Sequence, residues 1–262
     1  MNRREFILQS TLVGMGLPFG IKCIPGQAHW LTLSFDDGFK KSFYRIAGIH
    51  EQFGLQACLN VIASGHLPGF KKVDQWILPE LMGDFDDWNT LKSRGHEIMP
   101  HTWEHLNLTK VPEALAKENM RKCFDYFEEH LEGYDPTYAV YNFAFNASNP
   151  ELEDFALQRV RAVRTAGWVI LKDQTANPIP TQQTNLRLGC WSQGPDYCDT
   201  FVEEHIQQFL NSPGGWLILN LHGLDDEGWG PLHPAFLEEL LARLTQVPTL
   251  AIKPAGVFLQ GI

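Results

Sequence analysis

The stretch LTLSFDDGF, residues 31–39, limits what this chain can fold into more than any other. Leu31, Leu33 and Phe35 alternate with Thr32, Ser34 and Asp36, the period-two pattern of a half-buried strand. Gly38 breaks the pattern, so Asp36 and Asp37 fall at a strand's carboxyl end, where α/β proteins assemble their active sites. Two adjacent carboxylates repel each other unless a cation or a shared proton relieves them.

A partner for such a cation appears further along, in His101-Thr-Trp-Glu-His105. The i, i+4 spacing puts two imidazoles on one helical face or around one tight turn. With one carboxylate they form a two-His, one-carboxylate set that leaves metal positions open for water and substrate. Taken singly, the stretches also fit a solvated acidic turn and a capping histidine; their joint occurrence favours the metal.

Strand and helix patterns alternate along the rest of the chain. Helices are predicted over residues 42–53, up to Arg94-Gly95, from Pro112 to Gly133, from a capping box at Ser148–Glu151 to about Arg159, from a Thr200 cap to about Leu210, and over 234–244. Strands are predicted over 56–63, 96–99, 138–145, 160–164, 186–190, 216–221 and 250–253, with a loop over 172–185. That alternation implies a parallel sheet with crossover helices.

A chain of 262 residues can bury one large core, and neither a repeat nor a charge block divides it. A net charge of −10 argues against nucleic acid or an anionic membrane as the main partner. Eight tryptophans and seventeen phenylalanines suit a carbohydrate-facing groove and a large core equally. Residues 1–28 read as an export signal: Arg3-Arg4-Glu-Phe6 is twin-arginine-like, and the apolar stretch 11–21 is too short to span a bilayer. A cytoplasmic chain with a basic, apolar first helix is the alternative. Setting aside Cys23, Cys58 and Cys123 read as buried thiols, whereas Cys190 and Cys198 are close enough in sequence to close a loop in an oxidising compartment.

SFDDG followed by HTWEHLNL resembles the first two motifs of the metal-dependent polysaccharide deacetylases, the family sharing the NodB homology domain, with Ser34 where Thr is usual and Leu108 at the motif's leucine. The likeness runs over most of the chain from about residue 30. It implies a distorted, incomplete (β/α) barrel of about seven parallel strands. It also implies one divalent ion on Asp37, His101 and His105, zinc by default and cobalt as a second choice, with Asp36 as general base. His222, closing WLILNLHG, falls where the family places its late L-x-H motif, and by that likeness is the acid that protonates the leaving amine.

The middle departs from the family pattern. Where an R-x-P-[YF] stretch is usual, this chain has Tyr141-Asn-Phe-Ala-Phe145-Asn146, with neither Arg nor Pro, and Arg161 or Arg164 is the candidate replacement from the next strand. Phe145, Asn146, Arg164, Trp168 and Trp229 are the expected substrate contacts, Trp168 as a hydrophobic wall, and Asp225, Asp226 and His233 are further candidates on the same rim. The reading is a hydrolase that removes acetyl groups from the N-acetylated sugars of a polysaccharide. Its rivals are the same chemistry on an O-acetyl ester, small amide or cyclic ureide, and an inactive carbohydrate-binding relative.

Overall fold

The computed structural model describes residues 28–71, 74–172 and 174–262. The predicted export segment and Cys23 lie outside the described residues. Eight strands are present among those described: β1 (His29–Phe35), β2 (Cys58–Val61), β3 (Glu97–Pro100), β4 (Val140–Asn142), β5 (Ala162–Ala166), β6 (Leu186–Cys190), β7 (Gly215–Leu221) and β8 (Leu250–Ile252). Every strand pairing among them is parallel, in two sheets ordered β3-β2-β1-β7 and β4-β5-β6.

The sheets meet at two seams. At one, the Asn142 side chain donates to the Pro100 carbonyl at 3.2 Å, joining β4 to β3. At the other, Trp191, just past β6, bridges Leu219 of β7. Seven strands thus curve round an interior as a distorted barrel, as the resemblance implied. The eighth shares an edge: β8 pairs with His29–Leu31 of β1, while β2 pairs with Ser34–Phe35 further along.

β1 is buried over its whole length, not on one face only. Leu31, Leu33 and Phe35 pack into the layer between strands and helices, which α1 (Lys40–Gln52), α2 (Phe85–Ser93), α3 (Glu113–His130), α6 (Asp199–Leu210) and α7 (Pro234–Leu244) complete. The alternate residues point into the barrel, where polar side chains find partners on other strands. Apart from Glu97, inward positions are apolar at the amino ends, where Trp30 stacks on Phe258 of α8 (Ala255–Gln260) with centroids 4.3 Å apart, and they become polar at the carboxyl ends.

Two predicted caps differ. α4 (Pro150–Ala156) is capped by Asn149, which accepts from the Leu152 N–H at 2.9 Å, because the Ser148 hydroxyl is engaged by Glu153 and Thr165. α6 starts at Asp199 without a side-chain cap, before Thr200, and the Asp199 carboxylate is paired with His233. Nor do Cys190 and Cys198 bridge. Cys190 faces the barrel interior and Cys198 the outer layer, and burial raises both thiol pKa values to about 12.

Candidate active site

The carboxyl end of β1 is tied to β7 by the Asp36 N–H, which donates to the Leu221 carbonyl at 2.8 Å. The chain then turns through Asp37 (φ 83°) and Gly38 (φ 94°). A left-handed aspartate costs about 1–2 kcal/mol. The turn sends neighbouring carboxylates to different partners, Asp36 to the barrel interior and Asp37 to two histidines.

His101 follows β3, and its N–H donates to the Val61 carbonyl at 3.0 Å. Of the two arrangements that the spacing allowed, the tight turn is the one observed. Thr102 and His105 both have positive φ, and the Thr102 hydroxyl accepts from the His105 N–H at 2.9 Å. The imidazole Nε2 atoms of His101 and His105 come to 3.4 and 3.3 Å from Asp37 Oδ1. His101 Nδ1 lies 3.0 Å from the Asn142 carbonyl, which can only accept, so Nδ1 carries the proton and Nε2 presents its lone pair.

The three residues fit a cation. Their ligand atoms lie within 4.8 Å of one another, all three residues are buried, and Asp37 Oδ1 has no hydrogen-bond partner among the described residues. A buried, unpartnered carboxylate oxygen facing two imidazole nitrogens is costly unless a positive charge sits among them. Burial acts to raise the Asp37 carboxyl's pKa, but the imidazoles of His101, His105 and His222 that face it outweigh burial and leave the pKa lowered. Burial lowers the pKa of His105 to about 4, against the pull of Asp37, so the ring is neutral and able to ligate.

Asp36 is held differently. Oδ1 accepts from Asn60 Nδ2 at 2.7 Å and Arg164 NH1 at 2.9 Å, and Oδ2 from Arg164 NH2 at 2.5 Å and Asn220 Nδ2 at 2.7 Å. Burial of Asp36 would raise its pKa, but Arg164 and then His101 reverse this, so the carboxylate stays charged. Of the two candidate arginines, Arg164 is the one that pairs with Asp36; Arg161 NH2 is buried without a hydrogen-bond partner among the described residues. Asn142 donates to Asn60 Oδ1 at 2.9 Å, and Asn146 to Asn220 Oδ1 at 2.8 Å, so amides brace the pair from both sides.

A cavity of about 360 Å³ opens over these groups, with Asp36, Asp37, His101, His105 and His222 on its floor and Phe145, Asn146 and Trp229 in its walls. His222 follows β7 with its ring edge-on to Trp229 at 5.7 Å, and its Nδ1 has no partner among the described residues. Its pKa is lowered by burial, which the charges of Asp37 and Asp36 only partly oppose. Trp229 is seated against Gly194, where a Cβ would come within 2.5 Å of the indole.

Several expected contacts lie elsewhere. Trp168 is 73% exposed on α5 (Gly167–Ile170) and does not line this cavity. Asp225 pairs with Arg45 at 2.6 Å, Asp226 lies 3.8 Å from Lys41, and His233 stacks on Tyr197 with centroids 3.6 Å apart. Conversely, Asp74, Trp76, Ile77 and Ser192 line the cavity and escape a sequence reading, because loop residues carry no periodicity. Asn60 and Asn220 escape it too, although each is a lone polar residue in an apolar strand, CLNV and GWLILNL, and that interruption is a usable sign.

The chain belongs to the polysaccharide deacetylase family, whose profile matches residues 25–157. His222 and Arg164 lie beyond the matched segment. No curated relative matches the sequence. Among solved structures, the fold resembles a Mycobacterium smegmatis protein assigned as a polysaccharide deacetylase, with 14% identity, TM-score 0.64, and 92% of each chain covered. It also resembles the peptidoglycan deacetylase PdaC from Bacillus subtilis (14%, 0.52, 91% of this chain and 93% of that one) and a family 4 carbohydrate esterase from Streptomyces lividans (12%, 0.54, 86% and 91%). At these identities the likeness is one of fold. Among the described residues no helix is long and apolar enough to cross a membrane.

Proposed function

We propose that this chain is a metal-dependent hydrolase that removes acetyl groups from N-acetylated sugars of a polysaccharide. One observation carries the reading: Asp37, His101 and His105 converge around an unpartnered carboxylate oxygen beside a second, separately held carboxylate, Asp36. Family membership and the fold support it. The three ligands would hold one divalent ion, zinc by the N/O donor set and cobalt as a second choice. When bound, such an ion lowers the pKa of water and polarises a carbonyl.

The protein's own groups divide the proton work. Asp36 Oδ2, 3.7 Å from His101 Nε2, is the oxygen beside the ligand cluster and receives the proton from the attacking water. Both its hydrogen bonds are already in use, so protonation displaces the neutral Asn220 amide rather than the charge-assisted Arg164 pair. His222 lines the same cavity; with its pKa lowered it takes up a proton from solvent during the reaction and delivers it to the departing nitrogen, while the proton received by Asp36 returns to solvent. Phe145, Asn146 and Trp229 shape the space for the acetylated ring. Arg3-Arg4 and the apolar segment behind them support export of the chain.

The test is acetate release with added zinc or cobalt, from N-acetylglucosamine oligomers and from O-acetylated xylan in parallel, with Asp36→Asn as control. Metal-dependent release from the oligomers, absent in the variant, is the expected result. Release from xylan alone would make the enzyme an esterase. Stoichiometric metal without release from either would remove the reading.

A further inference from the structure

The loop after β7 carries both His222 and Trp229, and between them lies a buried acid that the proton work does not use, Glu227. Glu227 Oε2 accepts from the Ser42 hydroxyl and, at 3.1 Å, from the Ser42 N–H. The same hydroxyl accepts from the Leu224 N–H at 2.9 Å, so one serine holds the loop at two points. Neither Ser42 nor Glu227 lines the active-site cavity.

Ser42 stands in the first turn of α1, which leads straight out of the Asp36–Gly38 turn. That helix has no cap of its own. Phe39 offers no side-chain acceptor, and the first turn contains no acidic residue. The first N–H groups of a helix need acceptors and favour a negative charge. Glu227 supplies both from 185 residues further along the chain. One carboxylate therefore joins the turn that carries Asp36 and Asp37 to the loop that carries His222 and Trp229.

The loop folds back so that this anchor sits beside the histidine. The Leu232 N–H donates to the Gly223 carbonyl at 3.1 Å, and the Glu227 N–H to the Leu224 carbonyl at 3.2 Å. A Cβ on Gly223 would strike the Glu227 carbonyl, and one on Gly228 would come within 2.9 Å of His222 Cβ. Glu227 is thus followed at once by a residue packed on His222, and then by Trp229. Two ion pairs also join the loop to α1, Arg45–Asp225 and Lys41–Asp226, and both are exposed. Exposed pairs hold little, whereas breaking the hydrogen bonds of a buried carboxylate leaves a desolvated charge. The buried contact decides where the loop sits.

We propose that Glu227 is a positioning residue for His222: standing in for the missing cap of α1, it holds the imidazole at the reach that proton delivery to the departing nitrogen requires. This rests on the deacetylase reading for what His222 does. Ser42 is the receiving half of the same anchor. Misplacing a catalytic group by about 1 Å costs on the order of 10²-fold in rate. An anchor outside the cavity therefore governs turnover more than substrate binding.

The experiment measures kcat and KM for acetate release from N-acetylglucosamine tetramer, with zinc added, in the full chain and its variants. These are Glu227→Ala, Glu227→Gln, Ser42→Ala, His222→Ala and the double variant Glu227→Ala/His222→Ala, with Arg45→Ala as the control for an exposed pair. Hydrogen exchange of residues 38–46 and 222–232 is followed in parallel. Glu227→Ala is expected to lower kcat about tenfold or more, within the range of a misplaced general acid, with KM little changed. Exchange quickens in both segments. Glu227→Gln keeps an acceptor for Ser42 and recovers part of kcat, and Arg45→Ala retains wild-type values. Because Glu227 acts through His222, adding Glu227→Ala to His222→Ala costs no further activity. Losses that multiply in the double variant, or a wild-type kcat in Glu227→Ala, overturn the proposal. Where Glu227→Ala does not fold, Ser42→Ala and its double with His222→Ala decide by the same criteria. Where wild type releases no acetate, the deacetylase reading fails and exchange alone decides. Faster exchange confined to the two segments then keeps Glu227 as the anchor of the His222 loop, and unchanged exchange overturns it.

Discussion

Arg164 reaches from β5 across the barrel interior and grips both oxygens of Asp36, at 2.9 Å through NH1 and 2.5 Å through NH2. The family resemblance places an arginine for this aspartate one strand earlier, where this chain carries Asn142. In this chain it is Arg164, on β5, that meets the carboxylate. Asn142 now braces the pair indirectly, through Asn60.

Removing one partner of a buried ion pair leaves the other charged and desolvated, at a typical cost of about 3–5 kcal/mol. Arg164→Ala is therefore expected to lower the urea midpoint strongly and to abolish acetate release. Arg164→Lys should recover only part of both, because an ammonium cannot donate two parallel hydrogen bonds to one carboxylate. Wild-type stability in Arg164→Ala would show that the pair contributes nothing net.

Asp36→Asn should separate proton transfer from metal binding. Asp36 makes no contact that the proposed ligand set needs, so the variant is expected to keep stoichiometric metal and lose turnover by about 10²-fold or more, the usual scale for a general base. Metal analysis after dialysis, run beside the acetate assay, checks both halves. Loss of metal from Asp36→Asn with retention in Asp37→Asn would exchange the two roles.

His101→Ala and His105→Ala each remove one of three ligand atoms, and both should fail to retain a divalent ion. Because ligand binding to the native state alone stabilises it by RT ln(1 + [L]/Kd), about 2.7 kcal/mol at a hundredfold excess over Kd, zinc should raise the Tm of wild type. It should leave both variants unmoved. A zinc-dependent rise that persists in either variant would place the ion elsewhere.

Strand ends are the legible part of this molecule. Asp36, Asp37, His101 and His222 each sit just past a run of strand-like sequence, and His105 follows His101 in one tight turn, so position and chemistry coincide in a few consecutive residues. The inner face of the barrel was harder to read. Thr32, Ser34, Asn60 and Asn142 look like the solvent side of an amphipathic strand, and only closure of the sheet turns them inward. Their partners lie far away in sequence, 128 residues for Arg164 and Asp36, and no local pattern pairs them. Of the two candidate arginines, Arg164 lies at an inward position of β5, whereas Arg161 precedes the strand. Trp168 followed a family position, but the close packing at Gly167 turned it away from the active-site cavity.

At the opposite, amino-terminal end of the barrel, Glu97 opens β3, where it accepts from Cys58 Sγ at 3.3 Å and from the Val257 N–H at 3.2 Å. Burial raises its pKa to about 7 in spite of these donors. A carboxyl with a folded-state pKa above its unfolded value of 4.5 holds its proton more firmly in the native state. Stability from this group is thus complete below about pH 4.5 and is lost as pH rises through 7, by on the order of 3 kcal/mol in all. Glu97→Gln has no proton to lose and should abolish that decline. Buried neutral histidines such as His50 and His105 contribute in the opposite direction, but they are common to both proteins and cancel in the comparison. The measurement is the urea midpoint of wild type and Glu97→Gln at intervals from pH 5 to 8. The wild-type midpoint should fall relative to the variant's as pH rises, most steeply below pH 7, and parallel curves would show that Glu97 ionises without cost and that its burial does not govern its charge.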